Sequence, residues 1–337
     1  MNPLKIVHCA NFNEHKLGAT YYATDRKVSN GLIRNGHFVQ DFSYRNIARN
    51  SNVFQNKKIG AKKSNEALIK CIENIEADLL MLGHSELIYD ETLIEIKRKF
   101  PNIKIGMWWV DWTHNLKNLN FLKRLEIIDH FFMTTDPIEL EKIGVQGEYL
   151  KKCSYFPNMS DPSFDIYKAF ENKNYKHNLL FMGRYDKERE AFINFLKKHF
   201  SDSNLGLYGI SKNTFLQGNK YLRTVSSSKI SINYSRDNTM ELYSSGRIIQ
   251  LSAAGTMVMS PEIPGFKKLF SEDEIIYFKN NNDFKEKCDY FLNNDKERKQ
   301  IAKNGWLKAH NSFNNQRVTN YMLESIFRPQ FSKGFKW

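Results

Sequence analysis

Short apolar runs recur every 25 to 35 residues along this chain, separated by segments of helical periodicity. They fall at 5–10, 38–44, 78–83, 104–110 and 130–135, then at 178–183, 205–209, 229–235, 256–260 and 275–278. Runs this short, alternating with helical patterns, are the signature of parallel sheets layered between helices, and they exclude a sandwich or a helix bundle. Five runs on each side predict two similar doubly wound α/β sheets. Between the two sets, Tyr155-Phe156-Pro157-Asn158-Met159-Ser160-Asp161-Pro162-Ser163-Phe164 breaks both periods with two prolines and several turn formers, which places the hinge there. A chain of 337 residues with 41% hydrophobic content has material for two cores, because single cores stop growing near roughly 250–300 residues. The expected domains are 1–156, 157–314, and a terminal segment 315–337 that begins with an amphipathic helix over 315–327.

Charge and cysteine usage narrow the setting. Cys9, Cys71, Cys153 and Cys288 are dispersed, with no C-x-x-C pair and no histidine cluster at ligand spacing, which argues against a zinc site and a disulfide framework. A reducing, cytoplasmic home is expected. The first residues carry no sustained apolar stretch, and no window approaches the roughly 18 apolar residues of a spanning helix. The net charge is +13. Residues 1–155 hold 22 Lys+Arg against 18 Asp+Glu, and 156–337 hold 28 against 19, so the excess favours the second half. That balance suits an anionic ligand there and leaves room for an acidic partner. The tail Phe327-Arg328-Pro329-Gln330-Phe331-Ser332-Lys333-Gly334-Phe335-Lys336-Trp337 interleaves aromatics with cations, as a peripheral membrane anchor on an anionic inner leaflet does. A solvated or docked C-terminus is the plainer reading.

The most informative stretch is Ser244-Ser245-Gly246-Arg247-Ile248-Ile249-Gln250-Leu251-Ser252-Ala253-Ala254-Gly255, which runs into the apolar Thr256-Met257-Val258-Met259-Ser260 and then Pro261-Glu262-Ile263-Pro264-Gly265-Phe266. A helix entered through small residues, ended by glycine and followed by a buried strand is half of a βαβ repeat. Free N–H groups and the positive dipole end meet at its N-terminus, where an anion would sit against Ser244, Ser245 and Gly246. Arg247 supplies a fork for a diphosphate.

This order of residues resembles the C-terminal domain of group-1-type, GT4-like glycosyltransferases, most closely the spore-maturation-protein-like branch. The resemblance continues through a helix over 266–270, a strand over 274–278, a helix over 295–310 with Ile301-Ala302-Lys303-Asn304-Gly305, and on from Phe313 to Arg317. Before that third of the chain it is architectural. It implies the GT-B fold, two Rossmann-like doubly wound domains facing across a cleft. The N-terminal domain would take the acceptor, the C-terminal domain the nucleotide sugar, and the terminal helix would return to the first domain. The family usually has a glutamate where Gln250 stands, holding a ribose or sugar hydroxyl, so the amide leaves donor identity open.

Ligands in such sheets meet the carboxyl ends of the strands. In the second half this selects Gly183, which lets backbone approach a ligand, with Arg184 and Lys187 as phosphate cations and Arg189 beside them. Tight turning and solvated helix-end charges are the plain alternative. Tyr208, Gly209 and Tyr234 would shape a base pocket, or simply belong to the core. Glu262 would orient the donor sugar, or cap a helix.

In the first half the outstanding segment is Met107-Trp108-Trp109-Val110-Asp111-Trp112-Thr113-His114. Asp111 and His114 are candidates for deprotonating an acceptor hydroxyl. The resembling branch has an acidic pair and a proline here, and this chain keeps only the first acid. Trp108, Trp109 and Trp112 would stack on a sugar face or pack at a domain interface. The long polar loop after the first strand makes His15 and Gly18 acceptor-side candidates, as does His84 at a later strand end. Asp25 reads as a helix cap.

No D-x-D triplet occurs. The resemblance then implies a leaving diphosphate stabilised by Arg247, Arg184, Lys187 and N–H groups, with no essential metal and no cofactor beyond the nucleotide-sugar co-substrate. The expected function is transfer of a sugar from a UDP- or GDP-type donor to a cell-envelope glycan, a lipid-linked intermediate or a protein. One alternative is an inactive sugar-nucleotide or glycan-binding protein, on the strength of Gln250 and Trp112. The other is a transferase acting on modified DNA. Nucleic acid is otherwise not expected, since the charge excess does not favour the acceptor half and no basic-aromatic strip typical of base readout is apparent. A dehydrogenase, a third reading because the fold elements are shared, is disfavoured by the lack of G-x-G-x-x-G at any strand-to-helix junction.

Overall fold

All ten apolar runs form strands, and an eleventh joins them. The computed structural model describes every residue except His114 and 117–119, and the backbone alone at Lys212. The chain divides into two units, Met1–Pro157 with Asn315–Lys336, and Asn158–Asn314 with Trp337.

Unit 1 contains β1 (Lys5–Ala10), α1 (Thr24–Arg34), β2 (Phe38–Ser43), α2 (Tyr44–Asn50), α3 (Ala61–Ile75), β3 (Leu79–Leu82), α4 (Asp90–Lys99), β4 (Lys104–Trp109), α5 (Phe121–Ile127), β5 (His130–Met133), α6 (Glu148–Lys151) and β6 (Cys153–Tyr155). The strands form one parallel sheet of order β2-β1-β3-β4-β5-β6. Six strands replace the five expected, because β6 is three residues long and its Cys-Ser-Tyr carries no apolar run. On one face Val7, Cys9, Leu80, Leu82, Ile105, Met107 and Phe131 pack with Leu68 and Ile72 of α3 and Leu93 and Ile96 of α4.

Unit 2 contains β7 (His177–Met182), α7 (Glu190–Phe200), β8 (Leu205–Tyr208), α8 (Asn219–Ser226), β9 (Ser228–Ile232), α9 (Arg247–Ala253), β10 (Met257–Pro261), β11 (Ile276–Phe278), α10 (Asn281–Asn293) and α11 (Asp295–Asn311). Its parallel sheet has the order β11-β10-β9-β7-β8. The core gathers Leu179, Phe181, Ile230, Ile232, Met257 and Met259 against Phe192, Leu196, Phe284 and Cys288. The helix expected over 266–270 is a single 3₁₀ turn, Phe266–Lys268, entered at Gly265 with φ +71°.

α12 (Asn315–Phe327) and α13 (Pro329–Ser332) complete unit 1. α12 buries Val318, Met322 and Leu323 and approaches α1 closely: a methyl group on Gly31 would stand 2.4 Å from the Asn315 carbonyl oxygen. Only glycine allows that spacing. Beyond α13 the tail is docked rather than splayed. Phe335 packs edge-on to Tyr321 at 5.4 Å, Trp337 lies over Phe313 at 6.3 Å, and Arg317 donates to the Lys336 carbonyl at 2.9 Å. Two of the aromatics assigned to a membrane anchor are therefore occupied within the protein. No helix among the described residues is long and apolar enough to cross a membrane.

Candidate functional site

Open parallel sheets bind ligands outside the strand carboxyl ends, where the strand order reverses. In unit 2 that point lies between β7 and β9. β7 ends at Met182, and the Gly183 N–H donates to the Tyr208 carbonyl at 3.0 Å. Gly209, after β8, has φ +82°, and a methyl group there would stand 2.8 Å from the Gly183 carbonyl oxygen. The two turns abut, which is why glycine follows both strands.

Arg247 reaches across the reversal from the start of α9. Its Nε donates to the Met182 carbonyl at 2.6 Å and Nη1 to the Tyr234 carbonyl at 2.9 Å. The third nitrogen, Nη2, stands 3.0 Å from the point where a Gly183 side chain would begin, and Arg189 Nη1 is 3.3 Å from the same point. Arg189 is buried and donates to the Arg184 carbonyl at 2.9 Å, while its Nε has no hydrogen-bond partner. Burial, and then the neighbouring Arg189 charge, bring Arg247 down to about 10. Burial also lowers Arg189, against the pull of Asp186. Asp186 itself is engaged by Arg236 Nε at 2.6 Å. Two guanidinium groups thus converge on one glycine, and an anion placed there would relieve both.

Around this pair, Arg184 and Lys187 are exposed, with Arg184 lying over the Phe215 ring at 5.3 Å. Gly246 caps α9, which begins at Arg247 and is only seven residues long. The Ser244 carbonyl accepts from Asn158 Nδ2 at 2.9 Å. Ser245 Oγ and Asn158 Oδ1 are buried without partners. Gln250 Oε1 accepts the Tyr221 hydroxyl at 2.7 Å, leaving a second lone pair and the amide hydrogens. Glu262 is exposed and paired with Lys267 at 3.3 Å.

Two candidates point elsewhere. The Tyr208 hydroxyl meets His177 Nε2 at 3.1 Å, and His177 opens β7, so the ring leans back along the sheet and away from the strand ends. Tyr234 offers its carbonyl to Arg247, but its ring is stacked on Phe192 at 4.2 Å within the core. Asn158 and the burial of Arg189 are what the sequence hid. Asn158 lies 86 positions from Ser244 in the chain, and Arg189 reads there as one cation in a polar run.

In unit 1 the order reverses between β1 and β3. The loop after β1 encloses a pocket of about 280 Å³ lined by Asn11, Phe12, Glu14, Gly18, Thr20, Tyr21, Ala23, Asp25 and Arg26. Gly18 is placed in it with φ +83°. His15 turns to Asn46 of α2 at 3.1 Å. Asp25 does not cap α1, whose N-cap is Ala23; it accepts the Asn11 N–H at 2.9 Å. Burial lifts its carboxyl to about 6, against the hydrogen bonds and the Arg45 and Arg26 charges. Asn11 Oδ1 is buried without a partner.

His84 follows β3, stacked on Trp109 at 4.1 Å and accepting the Val110 N–H at 3.4 Å, with burial lowering it to about 4. Asp111 is exposed, and both its oxygens are engaged, by the Trp112 N–H at 2.8 Å and Asn115 Nδ2 at 3.1 Å. His114 lies outside the described residues. Trp108 and Trp109 are not available to stack on a ligand, being 1% and 5% exposed. Trp108 donates instead to His8 Nε2 at 3.1 Å, which fixes the proton on Nδ1, facing Ser29 Oγ at 2.7 Å. Ser29 in turn donates to Asp41, which Arg26 also holds. Among the described residues no group of three or more His, Cys, Asp or Glu could hold a metal ion.

Residues 168–324 match the family model described as glycosyl transferase-like. No curated protein sequence matches the chain. Among solved structures it is similar to sucrose-phosphate synthase from Thermosynechococcus elongatus, with TM-score 0.63, 12% identity, and 98% of this chain and 100% of that one covered. A glycosyltransferase from Rickettsia africae gives 0.55 and 12%, covering 97% and 100%. Anabaena HepE in complex with UDP and glucose gives 0.58 and 9%, covering 96% and 99%. The two parallel sheets have the GT-B fold, and residues 168–324 are similar to the glycosyl transferase-like family.

Proposed function

We propose that the chain transfers a sugar from a nucleoside diphosphate sugar bound at the β7–β9 reversal of unit 2 to an acceptor bound by unit 1. The observation that carries this reading is the convergence of Arg247 and Arg189 on Gly183, two depressed cations with an unpartnered buried donor between backbone turns. Arg184 and Lys187 would add exposed charge for the outer phosphate, and Gln250 would meet a donor hydroxyl. The UDP held by Anabaena HepE supports a UDP-type donor; a GDP-type donor stays within the same chemistry. Asp25, partly buried, raised to about 6 and facing an aromatic-walled pocket, is better placed than Asp111 to take a proton from an acceptor hydroxyl. The proposed acceptors are envelope glycans, lipid-linked sugars or proteins, and the proposed branch is the spore-maturation-protein-like one. We further propose that the arginines stabilise the leaving diphosphate without a metal.

Calorimetric titration with UDP, GDP, ADP and CMP and their sugar conjugates tests the donor site. One nucleotide family binding selectively, with slow hydrolysis of its sugar conjugate, is the expected result. Binding without hydrolysis or transfer would reduce the chain to a sugar-nucleotide-binding protein, and no binding at all would remove the reading. Turnover that vanishes with chelator and returns with Mg²⁺ would overturn metal independence.

A further inference from the structure

Residues 42–65 carry six cations, Arg45, Arg49, Lys57, Lys58, Lys62 and Lys63, and no carboxylate. In unit 1 they form the end of β2, α2, a loop and the first turn of α3. The loop is braced by its own hydrogen bonds. Asn52 Nδ2 donates to the carbonyls of Ala48 and Asn56, both at 2.9 Å, and Asn52 Oδ1 accepts the Asn56 N–H at 3.1 Å. Gly60 closes it, its N–H on the Asn56 carbonyl at 3.1 Å, packed so tightly that a methyl group would collide with the Ala48 carbonyl at 1.7 Å.

This braced loop holds its apolar side chains outward. Val53 is 91% exposed, Phe54 77% and Ile59 59%. Leu17, 93% exposed, stands on the adjoining turn, which His15 ties to α2 through Asn46 at 3.1 Å. Arg45 and Lys57 are engaged by Glu86, whereas Lys58, Lys62 and Lys63 are exposed. The acids nearby are Glu86, Glu14, which Asn46 holds at 3.2 Å, and exposed Glu66 on α3.

We propose that this face docks on an anionic lipid surface, with Val53, Phe54, Ile59 and Leu17 entering the headgroup layer and the lysines meeting lipid phosphates. Protruding apolar tips ringed by cations match a bilayer, which offers apolar depth beneath negative charge. A nucleic acid would leave Val53 and Phe54 against phosphates, with nothing apolar to receive them. The docked tail, with Phe335 against Tyr321 and Trp337 against Phe313, is not needed for this contact.

Flotation of the full chain with phosphatidylcholine vesicles, with and without phosphatidylglycerol, tests the assignment. Recovery with the anionic vesicles alone is expected. Each near-surface lysine contributes roughly fivefold to partitioning, so Lys58→Glu/Lys62→Glu should reduce recovery more than tenfold. Val53→Ser/Phe54→Ser should do the same, and removal of residues 331–337 should change it little. Unaltered melting temperatures keep the surface variants interpretable. Flotation that survives both double variants, that is lost only with the tail, or that is replaced by salt-sensitive binding to DNA would overturn the proposal.

Discussion

Arg247 commits two of its five N–H groups to the carbonyls of Met182 and Tyr234, so it braces the β7–β9 reversal before any ligand arrives. Arg247→Lys should therefore destabilise unit 2 even without nucleotide, by about 2–4 kcal/mol for two buried acceptors left unsatisfied. Arg184 is exposed and braces nothing comparable. Arg184→Ala should leave the ligand-free melting temperature unchanged yet weaken nucleotide binding roughly tenfold, the worth of one charged hydrogen bond. Calorimetry on both variants separates brace from contact. Asp25 gives a second residue-scale prediction. With its carboxyl lifted to about 6, the ionised base is lost as pH falls through that value. The kcat/KM profile should carry an acid limb near pH 6, absent in Asp25→Asn, and a limb that persists in that variant would exclude Asp25. The sequence selected Gly183 and Arg247 because a glycine after an apolar run and an arginine entering a helix are local signals. It could not show Arg189 buried, because that depends on the 3₁₀ turn Lys187–Arg189 folding the side chain back onto the Arg184 carbonyl.

At the level of elements, the apolar runs were legible because strands of a covered parallel sheet are buried on both faces. β6 was not, since edge strand Cys153–Tyr155 has Ser154 at its centre and carries no apolar run. His8, a polar position inside the first run, carries an arrangement that the sequence conceals. It links β4 to α1 and, through Ser29 and Asp41, to β2, as a neutral ring that Trp108 and Ser29 orient. Burial, and secondarily Arg26, hold His8 near 3 in the fold against 6.5 ordinarily. The unfolded chain therefore binds the extra proton between those values. The stability this group provides is complete above pH 6.5 and is lost as pH falls toward 3, about 2 kcal/mol of it by pH 5. Asp25 acts in the opposite sense, because its raised carboxyl favours the fold as pH falls. Comparing the wild type with His8→Gln isolates the histidine. Glutamine keeps an acceptor for Trp108 and a donor for Ser29, and the variant should lose less stability than the wild type between pH 7 and 5 in denaturant titrations. Equal losses would show that His8 does not titrate as described.

On the scale of the whole molecule, the two units differ in how the chain closes them. Unit 2 is drawn almost entirely from one continuous stretch, Asn158–Asn314, whereas unit 1 takes α12 from beyond it. α12 buries Val318, Met322 and Leu323 completely and supplies the Asn315 side chain that donates to the Lys27 carbonyl at 3.0 Å. Burying three such side chains stabilises by roughly 5–8 kcal/mol, comparable with the whole stability of a typical domain. Truncation after Asn314 should therefore abolish the thermal transition of unit 1. Unit 2 keeps Gly183, Arg189, Arg247 and Gln250, and its sheet is complete without α12. The truncated chain should still show one cooperative transition, raised by the same nucleotide that raises it in the full chain, because a ligand binding only the native form stabilises it by mass action. Scanning calorimetry with and without nucleotide reads both halves of this expectation. Two surviving transitions would mean that α12 contributes little to unit 1. A surviving transition that no longer responds to nucleotide would mean that the donor site needs residues outside unit 2, and the arginine pair at Gly183 would not suffice to hold the diphosphate.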